Sequence, residues 1–149
     1  MLLQTKIFHF EMAHAIFGYP GDCKNIHGHS YELHVTVSPV LEEQGYLPAP
    51  GFILDFKELK KLVQSSVITT FDHKLVLSQE YLAGHPALQT QENLVAWQAE
   101  PTAENMLIYI QRTLVANLPA NTSLVALKLF ETASSYASWV NTASTIYYI

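Results

Sequence analysis

Residues 27–38 read His-Gly-His-Ser-Tyr-Glu-Leu-His-Val-Thr-Val-Ser. Successive side chains of a β-strand point to opposite faces, so this stretch predicts a strand with one apolar face that ends in two histidines. The segment before it, residues 3–14, alternates in the same way, and a turn-rich loop over residues 15–26 separates the two. The shared face of the first strand carries Phe8, Phe10, Met12 and His14. That of the second carries His27, His29, Tyr31, Leu33, Val35 and Val37.

The rest of the chain predicts two helices and two more strands. A helix begins at Asp55, where Asp-Phe-Lys-Glu has the form of a capping box that ends at Glu58. Its apolar stripe consists of Phe56, Leu59, Val63 and Val67. The remaining segments are a loop over 39–51, an irregular stretch over 72–100, a helix over 101–118, and strands over 123–132 and 137–149. Neither a repeat nor a linker divides the chain, so residues 1–149 predict a single α+β domain of order β-β-α-α-β-β. We expect a four-stranded antiparallel sheet with two helices on one face.

Composition narrows the class of protein. Charged residues make up 14% of the chain and hydrophobic residues 49%, so part of the surface is expected to be buried against other copies. The net charge is −5, Arg112 is the single arginine, and the longest basic run is Lys60-Lys61, which argues against nucleic-acid binding. The single cysteine, Cys23, fits a reducing compartment. Neither a signal peptide nor a long apolar span is visible, so we expect a cytoplasmic protein that does not cross a membrane.

Three histidines could meet at one end of the core face. His27 and His29 are two residues apart, so on a strand they project from the same face. If the first two strands pair as a hairpin, His14 lies opposite them. Three converging imidazoles match a catalytic zinc site, which takes three protein ligands and leaves a fourth position open. The alternative is that these are ordinary strand residues with hydrogen bonds of their own.

Cys23 and the pair Asp72-His73 are candidates for proton transfer. Cys23 lies four residues before His27, in the loop that would close over the metal, and its thiolate could act as a base. It could equally be a fourth metal ligand or an unreactive buried thiol. Asp72 could orient the ring of His73 as a general acid–base pair, although adjacent side chains often point apart.

Two carboxylates are candidates for ligand binding. Glu131 follows Leu127 and Leu129 on an apolar strand face, where a carboxylate needs a partner. The guanidine-like edge of a ligand would serve, as would a salt bridge to Lys128 or to a neighbouring subunit. Glu104, in the first turn of the second helix, also has an ordinary role as a carboxylate that interacts with the helix dipole.

Six short motifs occur in order along the chain. The first two are Phe-Glu-Met-Ala-His14 and Cys23-Lys-Asn-Ile-His27-Gly-His29. The others are Gly51-Phe-Ile-Leu-Asp55-Phe, Phe71-Asp72-His73-Lys74, Pro101-Thr102-Ala103-Glu104-Asn105 and Phe130-Glu131-Thr132. The set resembles the motifs of the 6-pyruvoyl-tetrahydropterin and 6-carboxy-tetrahydropterin synthase family, whose signature is C-x3-H-G-H. No single motif would suffice, but together they are specific.

The resemblance implies the tunnelling fold (T-fold), in which three subunits join their sheets into a twelve-stranded barrel and two rings stack as a homohexamer. Active sites in this family lie between subunits. Carried over to this chain, zinc would be held by His14, His27 and His29. Cys23 would be the general base, and Asp72 with His73 the second acid–base unit. The pterin would be bound by Glu131 through its 2-amino and N3 edge, in a pocket also lined by Thr102 and Glu104.

The reaction implied by the resemblance starts from 7,8-dihydroneopterin triphosphate. Loss of triphosphate and acetaldehyde gives 6-carboxy-tetrahydropterin, a precursor of queuosine-type deazapurines, and retention of the carbon unit gives 6-pyruvoyl-tetrahydropterin, on the path to tetrahydrobiopterin. The sequence leaves both branches open. The chain departs from the family at Ala103, where some members have threonine, and in its low arginine content, which leaves Lys24 and Lys74 as the cations nearest to the motifs. The alternatives are an aldolase or epimerase-like enzyme on a dephosphorylated pterin, or a non-catalytic homologue that binds zinc or pterin.

Overall fold

The computed structural model describes residues 2–40 and 45–143. The strands are β1 (Gln4–His14), β2 (His27–Pro39), β3 (Lys74–Ser78), β4 (Leu94–Trp97), β5 (Thr122–Thr132) and β6 (Ser135–Val140). The helices are α1 (Phe56–Val63), α2 (Thr69–Phe71), α3 (Gln79–Gly84) and α4 (Ala103–Asn117), with a π-helical turn (Gln64–Ile68) between α1 and α2. The described strands form one sheet in the order β4-β3-β1-β2-β5-β6. The architecture is therefore α+β, as the sequence predicted.

The predicted hairpin of the first two strands is confirmed. β1 and β2 pair antiparallel over their whole length, from Gln4 opposite Val37 to His14 opposite His27. Burial alternates as expected, with Phe10 and Tyr31 on the buried face and stacked at 5.0 Å. The hairpin therefore carries its histidines to the end of the core face.

Both long helical segments cover the same face of the sheet. Asp55 caps α1 by accepting a hydrogen bond from the backbone N–H of Lys57, one residue earlier than a capping box at Glu58 would place it. Thr102 caps α4 by accepting from the backbone N–H of Asn105. From the helical side, the main core consists of Leu59, Val63, Val67, Ile68, Phe71, Ala103, Met106, Leu107, Ile110 and Leu114. None of the helices in the described part of the chain is long and apolar enough to cross a membrane.

The sheet is larger than predicted. Residues 72–100, which the sequence predicted to be irregular, contain regular elements that extend it. They contain β3, α3 and β4, and the sheet has six strands rather than four. β3 pairs parallel to β1 and β4 parallel to β3, so the sheet is mixed. β3 and β4 are only five and four residues long, and the buried residues of β3 lie on both of its faces, so its sequence shows no alternation to identify it as a strand. α3 covers the face of this edge opposite to α1 and α4, through Tyr81 and Leu82.

Two predicted boundaries also change. The first predicted helix is divided into α1, the π-helical turn and α2, and it ends at Phe71. The last predicted strand, over 137–149, is β6 at Ser135–Val140, and residues 144–149 lie outside the described residues. β6 starts earlier than predicted because Glu131 is skipped in the pairing of β5 with β6, and Thr132 pairs with Ser135 across a tight turn.

Candidate active site

Three imidazoles converge at the end of the β1–β2 hairpin. The nitrogen atoms that His14, His27 and His29 offer as ligands all lie within 4.8 Å of one another. The closest pair is Nε2 of His14 and Nε2 of His27, at 3.1 Å. His14 is buried, whereas His27 and His29 are half-buried and face open space. The convergence predicted from the spacing is therefore present in the folded chain.

Backbone carbonyls orient two of these rings. Nδ1 of His14 lies 2.7 Å from the carbonyl oxygen of Pro101, and Nδ1 of His27 lies 2.8 Å from that of Asn25. A carbonyl accepts but does not donate, so each Nδ1 must carry the proton and each Nε2 presents its lone pair. Burial lowers the pKa of His14, and likewise that of His29. Both effects favour the neutral imidazoles that a metal requires.

The donor set fits zinc. A tetrahedral ion with Zn–N bonds of about 2.0–2.1 Å separates two ligand nitrogens by roughly 3.3 Å, close to the 3.1 Å seen between His14 and His27. In the described part of the chain, this is the only group of three or more His, Cys, Asp or Glu side chains that could hold a metal, and it contains no thiol. Cys23 is therefore not placed as a fourth ligand. Three nitrogens with one position open is the pattern of a catalytic site rather than of a structural site.

The histidines form one wall of a cleft of about 370 Å³. The same cleft is lined by Cys23, Thr102, Glu104 and Glu131, so the structure brings together seven of the nine predicted site residues. Cys23 and Glu104 are exposed, whereas Thr102 and Glu131 are half-buried. The Thr102 hydroxyl oxygen accepts the capping hydrogen bond of α4, and its O–H remains free to donate to a ligand in the cleft. The other lining residues are Ile16, Tyr19, Ala103, Ser135, Tyr136 and Ala137.

Glu131 lies where β5 departs from regular pairing with β6. A bulge of this kind redirects a side chain, and it is common beside active sites. The buried Tyr31 hydroxyl approaches the Glu131 carboxylate at 3.4 Å, and burial followed by this carboxylate raises the pKa of Tyr31. The salt bridge considered from sequence is not made among the described residues, because Lys128 lies on the other face with its Nζ over the ring of Tyr136 at 5.5 Å. The carboxylate of Glu131 is left available to a ligand.

The loop that carries Cys23 is held by hydrogen bonds within itself and to two other segments, one of them from the backbone N–H of Phe17 to the Glu100 carboxylate at 2.9 Å. The carbonyl of Cys23 accepts a hydrogen bond of 2.8 Å from the backbone N–H of Ile16. The hydroxyl of Tyr81, on α3, donates to the carbonyl of Lys24 at 3.3 Å. The loop therefore stays folded over the histidines while the Cys23 thiol remains exposed.

His73 lines a second cavity, of about 420 Å³, and Asp72 contacts the ring of His73 without lining that cavity. This cavity also contains Glu11 and Ser30, whose side chains alternate with core-facing residues and so point to the opposite face of the sheet. Asp72 Oδ1 lies 2.9 Å from Nδ1 of His73, so the pair does form. A hydrogen bond from the Glu11 backbone N–H lowers the pKa of Asp72. Within one chain, neither Asp72 nor His73 lines the cleft, and His29 is the one residue common to the linings of the two cavities.

Sequence reasoning missed the groups that hold the site residues. The carbonyls of Asn25 and Pro101 carry no sequence signal, because every residue has a carbonyl. Tyr31 was assigned only to the core face, although its hydroxyl reaches both Glu131 and the ring of His14, the latter at 3.5 Å. The one available signal was a tyrosine two residues beyond the His-Gly-His sequence, since a buried hydroxyl needs a partner.

The chain matches one known protein family over nearly its whole length. A family model described as 6-pyruvoyl tetrahydropterin synthase matches residues 4–141. The chain belongs to this family. It is an enzyme of the tetrahydropterin synthase type, a class of pterin-processing lyases. The cleft with three histidines is accordingly our candidate active site.

Individual relatives in the 6-pyruvoyl tetrahydropterin synthase family match this chain over most of its length. The 6-carboxy-5,6,7,8-tetrahydropterin synthase of Rickettsia typhi is 27% identical over 140 residues, which cover 91% of this chain and 98% of that protein. The dihydroneopterin monophosphate aldolase of Pyrococcus furiosus is 28% identical over 122 residues, which cover 82% of each. Among solved structures, the 6-pyruvoyl tetrahydropterin synthase of Caenorhabditis elegans has a TM-score of 0.65 at 22% identity and covers 94% of this chain and 95% of its own. The structural likeness confirms the T-fold.

Proposed function

We propose that this protein is a zinc-dependent lyase that converts 7,8-dihydroneopterin triphosphate into 6-carboxy-tetrahydropterin, acetaldehyde and triphosphate. The observation that carries the proposal is the cleft itself, which combines three converging imidazoles with the carboxylate of Glu131 and the thiol of Cys23. The similarity to 6-carboxy-tetrahydropterin synthases over most of both chains supports the carboxy-forming branch. Formation of 6-pyruvoyl-tetrahydropterin is the neighbouring outcome on the same machinery.

Pterin binding would be the task of Glu131. Its two oxygens match the 2-amino and N3–H donors of a pterin, which present a fork like that of a guanidine. The nearby hydroxyl of Tyr31, held in the core, limits how the carboxylate can turn. The contact between Glu131 and the pterin would fix the pterin ring. The side chain of the substrate would then extend towards the histidines at the end of β1 and the start of β2.

Proton transfer would be shared between Cys23 and His73. When bound by the three histidines, zinc would polarise the side-chain hydroxyls of the substrate and make the neighbouring C–H bonds more acidic. The Cys23 thiolate would accept a proton from the substrate side chain on one face. The ring of His73, hydrogen-bonded to the charged Asp72, would exchange protons on the other face. Splitting the side chain into a carboxylate and acetaldehyde consumes one water, as the balance of atoms requires.

These two groups can meet only if subunits share the site. Asp72 and His73 do not line the cleft of their own chain, so we propose that a neighbouring copy supplies them, in the hexamer of two stacked trimers implied by the resemblance. The sheet has β4 and β6 at its edges in the described part of the chain, and two such edges can join in a ring. Lys74 lines the same cavity as His73, so the same contact would bring a cation towards the phosphates.

The direct test is identification of the products. Zinc-loaded protein incubated with 7,8-dihydroneopterin triphosphate is expected to give 6-carboxy-tetrahydropterin and acetaldehyde in equal amounts by mass spectrometry. A 6-pyruvoyl product without acetaldehyde would move the protein to the other branch. Unchanged substrate would overturn the proposed reaction.

Glu131→Gln is expected to weaken substrate binding without disturbing the metal. Replacing one carboxylate oxygen by an NH2 group places a donor against a donor, and a hydrogen bond to a charged group contributes about 1.5–3 kcal/mol. KM should therefore rise by roughly ten- to a hundredfold while the zinc content stays the same. Steady-state kinetics and metal analysis measure both quantities. Glu80→Gln, which makes the same change on exposed α3, is the matched control, and equal KM values in the two variants would contradict the assignment.

A second candidate function is aldol cleavage of a pterin that lacks the triphosphate. The observation in its favour is that the described residues lining the cleft include neither lysine nor arginine, whereas Glu104 and Glu131 add negative charge. A triphosphate held by this chain alone would meet no cationic side chain of lysine or arginine there. The similarity to a dihydroneopterin monophosphate aldolase supports the same idea. Supplying dihydroneopterin monophosphate and dihydroneopterin beside the triphosphate, and comparing kcat/KM, separates the two functions.

A further inference from the structure

We propose that Asn93 is a positioning residue for His73 that acts on its backbone rather than on its ring. Asn93 is the residue before β4, and its side-chain amide donates a hydrogen bond of 3.1 Å to the carbonyl of His73. The inference rests on the proposed function, in which His73 transfers a proton. It assigns a role to a residue outside all six motifs.

His73 has a backbone conformation that needs external support. Its φ angle is +59°, and in the described part of the chain it is the one residue other than glycine with positive φ. The left-handed region is unfavourable for a residue with a side chain, and such strain is concentrated at functional sites. The ring itself cannot supply the support by packing, because the side chain is 78% exposed.

Hydrogen bonds on two sides maintain this conformation. On the β1 side, Glu11 accepts from the backbone N–H of His73 at 2.7 Å and donates its own N–H to Asp72 Oδ1 at 3.0 Å. On the other side, the amide of Asn93 holds the carbonyl of His73. The two peptide groups that flank the Cα of His73 are thus both fixed. The ring direction then follows from this backbone and from the contact between Nδ1 and Asp72.

Asn93 is itself fixed by the two strands that enlarge the sheet. Its carbonyl accepts a hydrogen bond of 3.0 Å from the backbone N–H of Leu75, in β3. The next residue, Leu94, pairs with Leu75 in the parallel β3–β4 register. The β3–α3–β4 unit therefore has a function beyond widening the sheet, because it carries an amide donor to the carbonyl of His73.

The size of the effect follows from the exposure of Asn93. Water can reach the hydrogen bond between the Asn93 amide and the His73 carbonyl, because Asn93 is exposed. Loss of this hydrogen bond should therefore shift His73 rather than unfold the protein. A catalytic group displaced by about 1 Å can cost a factor on the order of a hundred, so a smaller displacement should cost about tenfold in kcat. Asn93 lines neither the cleft of Glu131 nor the group of three histidines, so zinc content should not change and the loss should fall mainly on kcat.

The test compares Asn93→Asp with Gln91→Glu. Both changes replace an exposed amide by a carboxylate in the same turn, but only the first puts an acceptor against the carbonyl of His73. We expect kcat to fall about tenfold for N93D and to stay at the wild-type level for Q91E, with zinc content unchanged in both. A rise in KM for N93D would report the added charge in the cavity that holds Lys74, so kcat is the quantity compared. Equal kcat values in the two variants would overturn the inference.

A double-mutant cycle separates positioning from general damage. If Asn93 acts through His73, N93D should reduce the residual turnover of His73→Ala no further, since the group that it positions is gone. A second reduction of the same size in that background would overturn the inference. If His73→Ala alone turned over at the wild-type rate, the proposed role of His73 would fail. A full loss of turnover in His73→Ala with no loss in N93D would leave that role in place and overturn the inference about Asn93.

Discussion

Cys23→Ala is expected to reduce turnover by about a thousandfold while zinc and pterin remain bound, because a positioned general base contributes typically 10²–10⁴ in rate. The structure supports this separation of roles. The thiol lies in the cleft but outside the group of ligand atoms that lie within 4.8 Å of one another. Removing it should therefore leave three nitrogens on the metal. Turnover, metal content and binding of a pterin product are the three measurements.

The matched control for Cys23→Ala is Asp22→Asn, which alters the neighbouring residue in the same short turn and leaves the thiol in place. It should keep turnover near the wild-type rate. The zinc content of Cys23→Ala decides whether the thiol is a base or a metal ligand. If zinc content falls together with activity in Cys23→Ala, the thiolate is a fourth ligand, and the assignment of Cys23 as the base is wrong.

Mixed oligomers of Cys23→Ala and His73→Ala are expected to regain activity that neither variant has alone. If each site takes Cys23 from one chain and His73 from a neighbour, random equal mixing leaves about a quarter of the sites with both groups intact, by the statistics of a symmetric oligomer. If both groups came from one chain, no site would be intact. Co-expression with two different affinity tags, followed by sequential purification and a turnover assay, gives the measurement.

The control for the mixing experiment uses a second chain that carries both substitutions. Oligomers of Cys23→Ala mixed with the double variant Cys23→Ala/His73→Ala contain no intact thiol, so they should stay inactive. Activity in this mixture would point to a contaminant or to a reaction that does not need Cys23. Absence of activity in the first mixture, with both chains shown to be present, would contradict the shared site.

The alternation of β1 and β2 determined much of this protein from sequence alone. A hairpin of two long strands has a register fixed by its apolar face, because a slip by one residue would move every core side chain to the opposite face. That register places His14 opposite His27. The α+β class and the convergence of three imidazoles therefore followed from local pattern, and the six motifs were sufficient to indicate the family.

The two short strands could not be derived in this way. β3 is stabilised by neighbours distant in sequence, with β1 on one side and β4 on the other, and its buried residues lie on both faces. A short segment of this kind has no period that distinguishes a strand from a helix or a loop. Its conformation is decided by the sheet that it joins.

The tertiary structure alone decided which cavity each candidate lines. The sequence grouped Asp72 and His73 with Cys23 by function, but the parallel pairing of β3 with β1 attaches them beside Glu11, where His73 lines a different cavity from Cys23. The carbonyls that orient His14 and His27, and the amide of Asn93 that holds His73, likewise come from residues with no motif of their own. Local pattern determines which face of its own strand a side chain occupies, whereas contacts between distant segments determine what lies opposite that face.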